Sequence, residues 1–313
     1  MNMHIKICSA LMGVGLLLGA TSLSPVVWAA DARFERFVGA HPTAFGTAED
    51  AVTAFKATLA ANDFEGLTQL LGLDRAEFQK AEGVTERVAE IREGAAKLLS
   101  VEDDGDQRIL KIGLEVWPFP FPLRKNDDGK WAFDTYAGLE EIINRRVGEN
   151  ELQAIETMKA YIEAQREYVS ADHDGDGVLE YAQKLISSEG ATDGLYWPIE
   201  QGDGESPVGP FVDQAALDKA NAGDGYFGYK FRILKAQGNQ VAGGRYDYVI
   251  NGNMIAGFGL VAWPAKYAET GVQTFVVNHA GIVYEADLGD KTNDTAPKIR
   301  RFNPGKAWNL VGN

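Results

Sequence analysis

A long amphipathic segment of this chain runs directly into an acidic loop. Between Glu151 and Val169, apolar residues recur at helical spacing, which predicts a helix with one buried face. The segment from Asp172 to Gln183 follows, with the sequence D-H-D-G-D-G-V-L-E-Y-A-Q. The chain must therefore place a loop crowded with carboxylates at the end of a helix that packs against a core.

The acidic loop resembles the first part of an EF-hand calcium loop. Its aspartates alternate, and Gly177 follows the third, so the pattern offers several oxygen ligands and a sharp turn. We expect side-chain ligands from the aspartates, a backbone carbonyl ligand at the next position, and direct or water-mediated ligation by the glutamate in the ninth position. The expected calcium ligands are Asp172, Asp174, Asp176, Val178 and Glu180.

The loop departs from the EF-hand pattern at its twelfth position. A bidentate glutamate is expected there, and this chain has Gln183. No second hand is recognisable, so the pattern indicates a weak structural site and not a calcium sensor. The alternative is a solvated turn that binds no ion. We expect Leu179 to fix the loop to the core and His173 to face solvent.

The segment 1–29 predicts a secretory signal peptide. Lys6 is its only charged residue, the stretch from Ala10 to Ala20 is apolar, and small residues then allow cleavage after Ala29 or after Ala32. An uncleaved membrane anchor is the alternative, although the apolar stretch is short for a bilayer span. We therefore expect a periplasmic or secreted protein with no stable membrane span after removal of the signal peptide. Because Cys8 is the only cysteine, the mature chain would be cysteine-free.

The charge of the chain argues against one class of partner. The formal net charge is −15 at pH 7, and removal of Lys6 makes the chain more negative still. Phosphate backbones repel such a surface, so we expect no nucleic-acid binding. A protein or glycan partner in the cell envelope is left open.

The periodicity of apolar residues predicts an α+β fold. It indicates an N-terminal α+β domain with a small antiparallel sheet (33–147), a long central helix with the EF-hand-like acidic loop (148–190), a Gly/Pro-rich linker (191–225) and a C-terminal domain (226–313). The C-terminal domain alternates apolar and polar residues, which predicts an antiparallel β meander.

Local signals refine this assignment. Thr47 and Asp74 are expected to cap helices, and Gly72 to end one. We expect a strand from Ile109 to Trp117, and hairpin turns at 126–129 and 279–281. Three further helices are expected at 139–146, 181–187 and 214–221.

No catalytic motif is recognisable in the sequence. H-E-x-x-H and G-x-S-x-G do not occur, and the G-x-G-x-x-G segment at 223–228 precedes a strand where a dinucleotide site requires a helix. The sequence therefore favours a non-catalytic protein. One alternative is an envelope hydrolase or glycan-binding protein, which predicts a pocket where Tyr196, Trp197 and carboxylates converge.

Several tracts together resemble a known family, the exported bacterial family catalogued as domain of unknown function 2950. The resemblance covers essentially the whole mature chain and implies an exported protein with no assigned activity. It rests on Trp131–Thr135, Arg145–Glu151, Asp172–Gln183, Gly194–Pro198, Tyr229–Leu234, Ala262–Ala265 and Thr274–Asn278. The segment from Gly271 to Tyr284 is also similar to the terminal sheet of some pilin-like exported proteins, so a pilin-like assembly subunit is a further alternative.

Overall fold

A computed structural model describes residues 34–81, 83–201 and 204–312 of the chain. The predicted signal peptide lies outside these residues. A short 3-10 helix, Glu35–Phe37, precedes four helices and a small sheet. These elements are α1 (Ala48–Ala60), α2 (Phe64–Leu71), α3 (Arg75–Lys80), α4 (Val84–Lys97), β1 (Leu99–Asp104), β2 (Gln107–Ile112), β3 (Trp117–Pro118), β4 (Leu123–Lys125) and β5 (Trp131–Phe133).

The helix ends in this region follow from local side chains, as predicted. Thr47 and Asp74 accept hydrogen bonds from the third amide along the chain, at Asp50 and Glu77. Gly72 ends α2 with φ of 68°, a conformation that costs glycine little. These caps satisfy amides that the helices leave unpaired.

The small sheet is antiparallel with the order β1-β2-β4-β5, and β3 pairs with β2. The hairpin predicted at 126–129 joins β4 to β5. The strand predicted from Ile109 to Trp117 is wrong beyond Ile112, because Val116 has φ of 52° and Leu114 is 74% exposed. The chain turns there and returns as β3, so the apolar residues after Ile112 do not share one face.

The core of this region forms between the helices and the sheet. Phe55 of α1 lies 4.9 Å from Phe119 and 5.5 Å from Phe133, measured between ring centroids. Leu110 and Leu123 are fully buried beside them. Tilted aromatic pairs of this kind stabilise a core beyond the contribution of their buried area.

A single helix, α5 (Thr135–Tyr168), connects the two parts of the molecule over 34 residues. The separate helix predicted at 139–146 is therefore wrong, because α5 continues through the exposed Gly148. Long-range contacts hold this part of the helix: Asn150 donates to the Thr270 carbonyl, and Glu151 accepts from the Val272 and Gln273 amides. They offset the cost of a mid-helix glycine, which is about 1 kcal/mol.

The C-terminal part is the predicted antiparallel meander. Its main sheet has the order β14-β13-β12-β11-β6, and short paired strands form an insertion between β6 and β11. The elements are α6 (Gln214–Ala222), β6 (Tyr229–Leu234), β7 (Ala236–Gln237), β8 (Tyr246–Asp247), β9 (Val249–Ile250), β10 (Asn253–Met254), β11 (Gly259–Pro264), β12 (Gln273–Asn278), β13 (Tyr284–Asp287), α7 (Thr292–Thr295) and β14 (Asn309–Leu310).

The sheet is covered on both faces. Met158 and Ile162 of α5 pack against one face, in a cluster that includes Phe275 and Val277. The segment around Phe302 covers the other face. Leu152 lies in the segment from Glu151 to Val169 for which the sequence predicts a buried apolar face, but it is 66% exposed and does not belong to that face.

The chain between α5 and β6 is mostly irregular. The short helix predicted at 181–187 is wrong: the Tyr181 amide donates to the Met254 carbonyl, and the Ala182 amide donates to the Gln165 side chain. A 3-10 helix, Gly209–Phe211, precedes α6. Helix α6 confirms the helix predicted at 214–221. In the ranges that the structure describes, no helix is both long and apolar enough to cross a bilayer.

Candidate functional site

The acidic loop begins shortly after the end of α5 and brings three carboxylates together. One carboxylate oxygen from each of Asp172, Asp174 and Asp176 lies within 4.8 Å of the others, and all three residues are exposed. Among the residues that the structure describes, this is the one group of three or more acidic, histidine or cysteine side chains close enough to share an ion. The alternating spacing thus places the aspartates around one point.

Asp172 organises the backbone of the loop. Its two oxygens accept hydrogen bonds from the amides of Gly175, at 2.8 Å, and Gly177, at 2.9 Å. Both glycines have positive φ, 76° and 82°, which brings their amides inward. These two amide bonds lower the pKa of Asp172 from its ordinary value, because they stabilise the ionised carboxylate.

Asp174 and Asp176 differ in how many of their oxygens are engaged. Asp174 accepts one long hydrogen bond, 3.3 Å, from the Asp176 amide. Asp176 accepts from the Val178 amide at 2.7 Å and, through its other oxygen, from the Asn253 side chain at 2.6 Å. Asp174 is therefore the aspartate with the greatest capacity to accept a further partner.

Val178 and Glu180 lie at the exit from the loop. Val178 is half-buried, and its amide is held by Asp176. Glu180 accepts from the Met254 amide at 2.7 Å through Oε2. It lies outside the group of three carboxylates. In this arrangement Glu180 fastens the loop to β10.

Gln183, the residue in place of the expected glutamate, is engaged at both ends of its amide. Its nitrogen donates to the Gly252 carbonyl at 2.6 Å, and its oxygen accepts from Lys235 at 2.9 Å. The twelfth position thus joins the loop to the insertion that carries β10. No sequence signal pointed to Asn253, Met254 or Lys235 as partners, because all three lie far from the loop along the chain.

Two expectations about the loop are wrong. His173 does not face solvent: its ring stacks on Tyr168 with centroids 3.9 Å apart and planes at 17°, and its Nε2 lies 3.1 Å from the Tyr168 carbonyl oxygen. Leu179 is 54% exposed and does not fix the loop to the core. The loop is anchored by the stacked His173 and by the polar contacts with β10.

A separate cavity of about 490 Å³ lies between α5, α6 and the sheet. Tyr196 lines it, but Trp197 does not; the indole of Trp197 is buried and donates to the Gly204 carbonyl. None of the described residues that line this cavity is a carboxylate. The convergence of Tyr196, Trp197 and carboxylates that a glycan hydrolase would require is therefore not found at this cavity.

Fold and loop together define an α+β protein in which an acidic loop joins a long helix to an antiparallel sheet. Residues 42–311 match the model of the family described as "Protein of unknown function (DUF2950)". The chain therefore belongs to the DUF2950 family. No curated protein matched the chain, and no solved structure matched it.

Proposed function

We propose that this chain is an exported, non-catalytic protein of the bacterial cell envelope, and that its acidic loop is a weak structural calcium site. The observation that carries the calcium proposal is the convergence of the Asp172, Asp174 and Asp176 oxygens within 4.8 Å. Carboxylate oxygens are the ligands that calcium prefers, and their number and rigidity set its affinity.

The charge of the loop supports a cation as its partner. The three aspartates carry like charges at close range, and such groups destabilise one another unless a cation or hydrogen-bond donors compensate. Backbone amides compensate Asp172, whereas Asp174 has one amide bond of 3.3 Å. An ion would bind through Asp172, Asp174 and Asp176, of which Asp174 is the least engaged, with the Val178 carbonyl and Glu180 as further ligands.

The hydrogen bonds of the loop indicate what the ion would stabilise. Asp176 and Glu180 contact Asn253 and the Met254 amide, so the loop connects the end of α5 to β10. Calcium that holds these carboxylates in place would also hold the connection. Because calcium binds only the folded loop, it would stabilise the fold by about 1.4 kcal/mol at a tenfold excess over its dissociation constant.

Thermal unfolding with calcium or chelator tests the role of the ion. The wild-type chain from Ala30 to Asn313 should melt at a higher temperature in excess calcium than in chelator. Asp174→Asn keeps the shape of the side chain and removes one ligand charge, so it should lose most of this increment. The proposal fails if chelator and calcium give the same melting temperature.

A matched control separates ligation from a general effect of charge. Asp127 lies in the exposed turn between β4 and β5, and Asp127→Asn removes one charge outside the loop. This variant should keep the full calcium increment. An equal loss of the increment in both variants would mean that calcium acts on overall charge.

Export is a separate part of the proposal, supported by the residues before Ala30. Expression of the full chain in a Gram-negative host, followed by cell fractionation and mass spectrometry, should give a periplasmic or secreted product that begins near Ala30. A cytoplasmic product that retains Met1 would contradict export and leave the calcium proposal intact.

A further inference from the structure

A cavity lies away from the acidic loop, between α5, α6 and β6. Its volume of about 490 Å³ lies within the range of small-molecule sites, which is roughly 300–1,000 Å³. Apolar and aromatic side chains form most of its wall. They include Leu195, Val208, Leu217, Tyr226, Phe231 and Leu260.

Three of the four tyrosines in the wall engage their hydroxyl groups with the protein. Tyr161 donates to the Gly259 carbonyl, and Tyr229 donates to the Gln273 carbonyl. The hydroxyl of Tyr226 accepts from the Asp213 amide. The polar ends of these three side chains are thus satisfied, and their rings are left as apolar wall.

The mouth of the cavity exposes large apolar side chains. Phe211, on the 3-10 helix before α6, is 65% exposed, and Ile186 is 50% exposed. Exposed apolar groups that continue into a cavity are typical of sites that bind apolar ligands. The cavity is therefore open to a chain that enters from solvent.

The polar groups at the cavity indicate the charge of a ligand. Among the described residues that line it, Lys230 is the one charged side chain, and Asn221 adds a neutral amide. The Lys230 ammonium and the Asn221 amide make no hydrogen bond or ion pair with any described residue. Lys230 is exposed and lies on the edge strand β6, between Tyr229 and Phe231 of the wall. An unpaired cation in a chain of charge −15 favours an anionic head group.

We propose that this cavity binds a single-chain amphiphile with an anionic head, such as a fatty acid carboxylate. The acyl chain would occupy the apolar interior, and the carboxylate would lie at the mouth beside Lys230 and Asn221. The site is independent of the acidic loop, so failure of either proposal leaves the other standing.

A chain-length series tests the apolar part of the site. The protein from Ala30 to Asn313 is titrated with octanoate, decanoate and dodecanoate below their micellar concentrations, with binding followed by calorimetry. Each buried methylene should tighten binding about fourfold until the cavity is filled. Affinity that does not depend on chain length would overturn the proposal.

Two substitutions on α6 locate the site. Ala220 lines the cavity, so Ala220→Trp should fill it and weaken dodecanoate binding at least tenfold. Ala215 is exposed and does not line the cavity, so Ala215→Trp should bind like wild type. Both variants should keep the wild-type melting temperature. Equal affinity in the two folded variants would place binding elsewhere.

The head group is tested with a neutral ligand of the same length. Lys230→Met should weaken dodecanoate binding about tenfold and leave dodecanol binding unchanged. Lys291→Met, which removes an exposed charge outside the cavity, should change neither. If Lys230→Met changed the affinities for dodecanoate and dodecanol equally, the proposal of an anionic head group would be overturned.

The oligomeric state tests a different occupant of the cavity. If light scattering showed a dimer that Phe211→Ser dissociates, the cavity would be assigned to a second copy of the chain and the proposal would be overturned.

Discussion

The two ends of α5 are held in different ways. At the first end, Asp134 caps the helix, Thr135 donates to the Leu71 carbonyl, and Gly138 lets the Phe121 ring lie directly against the helix. At the last end, the buried Gln165 binds Ala182, and the acidic loop follows. The first end is thus closed by packing and by a capping carboxylate that pairs with Arg124, and the last end is followed by three exposed carboxylates.

This difference predicts where an ion would matter. The contacts at the first end involve no carboxylate of the acidic loop, so substitutions that affect them should leave the calcium increment in stability unchanged. The increment should belong to the carboxylates alone. Variants at the two ends of α5 therefore test whether the proposed calcium effect is local.

Substitution of Gln165, which is fully buried, should cause the greatest loss of stability. Gln165→Leu would leave the amide and carbonyl of Ala182 without their side-chain partners. Loss of these bonds should lower the free energy of unfolding by about 3 kcal/mol, measured by urea denaturation. Gln153→Leu, on the same helix and half-buried, is the control and should cost much less. A cost below that of the control would show that Gln165 does not hold the last end of α5.

A somewhat smaller loss is expected at Gly138. A Cβ at this position would overlap the Phe121 ring, so Gly138→Ala should destabilise the fold by about 2 kcal/mol in urea denaturation, with an unchanged calcium increment. Gly148 has open space around it, and Gly148→Ala should stabilise the helix by about 1 kcal/mol. A change in the calcium increment in Gly138→Ala would contradict the local effect proposed for the ion.

Particular helix features also show how far the sequence predicts the fold. Caps and turns were predictable because their partners lie within a few positions, as at Thr47 and Asp74. The continuity of α5 through Gly148 was not predictable from the sequence, because it depends on contacts with Thr270 and Gln273. Local sequence carries the first kind of information and not the second.

The candidate site also combines features that the local sequence predicts with features that depend on long-range contacts. The three aspartates of the loop lie together because their spacing is local. Asn253 and Met254, which fasten the loop to β10, lie far from it along the chain. The sequence predicted a pocket at Tyr196 but not the cavity as a whole, since its wall combines α5, α6 and two strands. Long-range contacts of this kind leave no regular pattern in the sequence.

The smallest effect is expected from pH. The folded-state pKa of Asp172 is lowered by the Gly177 and Gly175 amides, so its stabilising contribution is complete above the ordinary value of 3.8 and is lost as pH falls through the lower folded value. Asp172→Asn should therefore flatten the dependence of melting temperature on pH as the pH falls through and below 3.8. If the melting temperatures of wild type and Asp172→Asn changed in parallel with pH, Asp172 would not contribute to the pH dependence of stability.

Calcium binding by the three aspartates can be measured by calorimetric titration. Calcium added to the protein from Ala30 to Asn313 should give one saturable site with a dissociation constant in the millimolar range or somewhat tighter. Asp174→Asn should abolish the heat of binding, and Asp127→Asn should leave it unchanged. A wild-type titration without saturable heat, together with a melting temperature that calcium does not change, would contradict calcium binding at this loop.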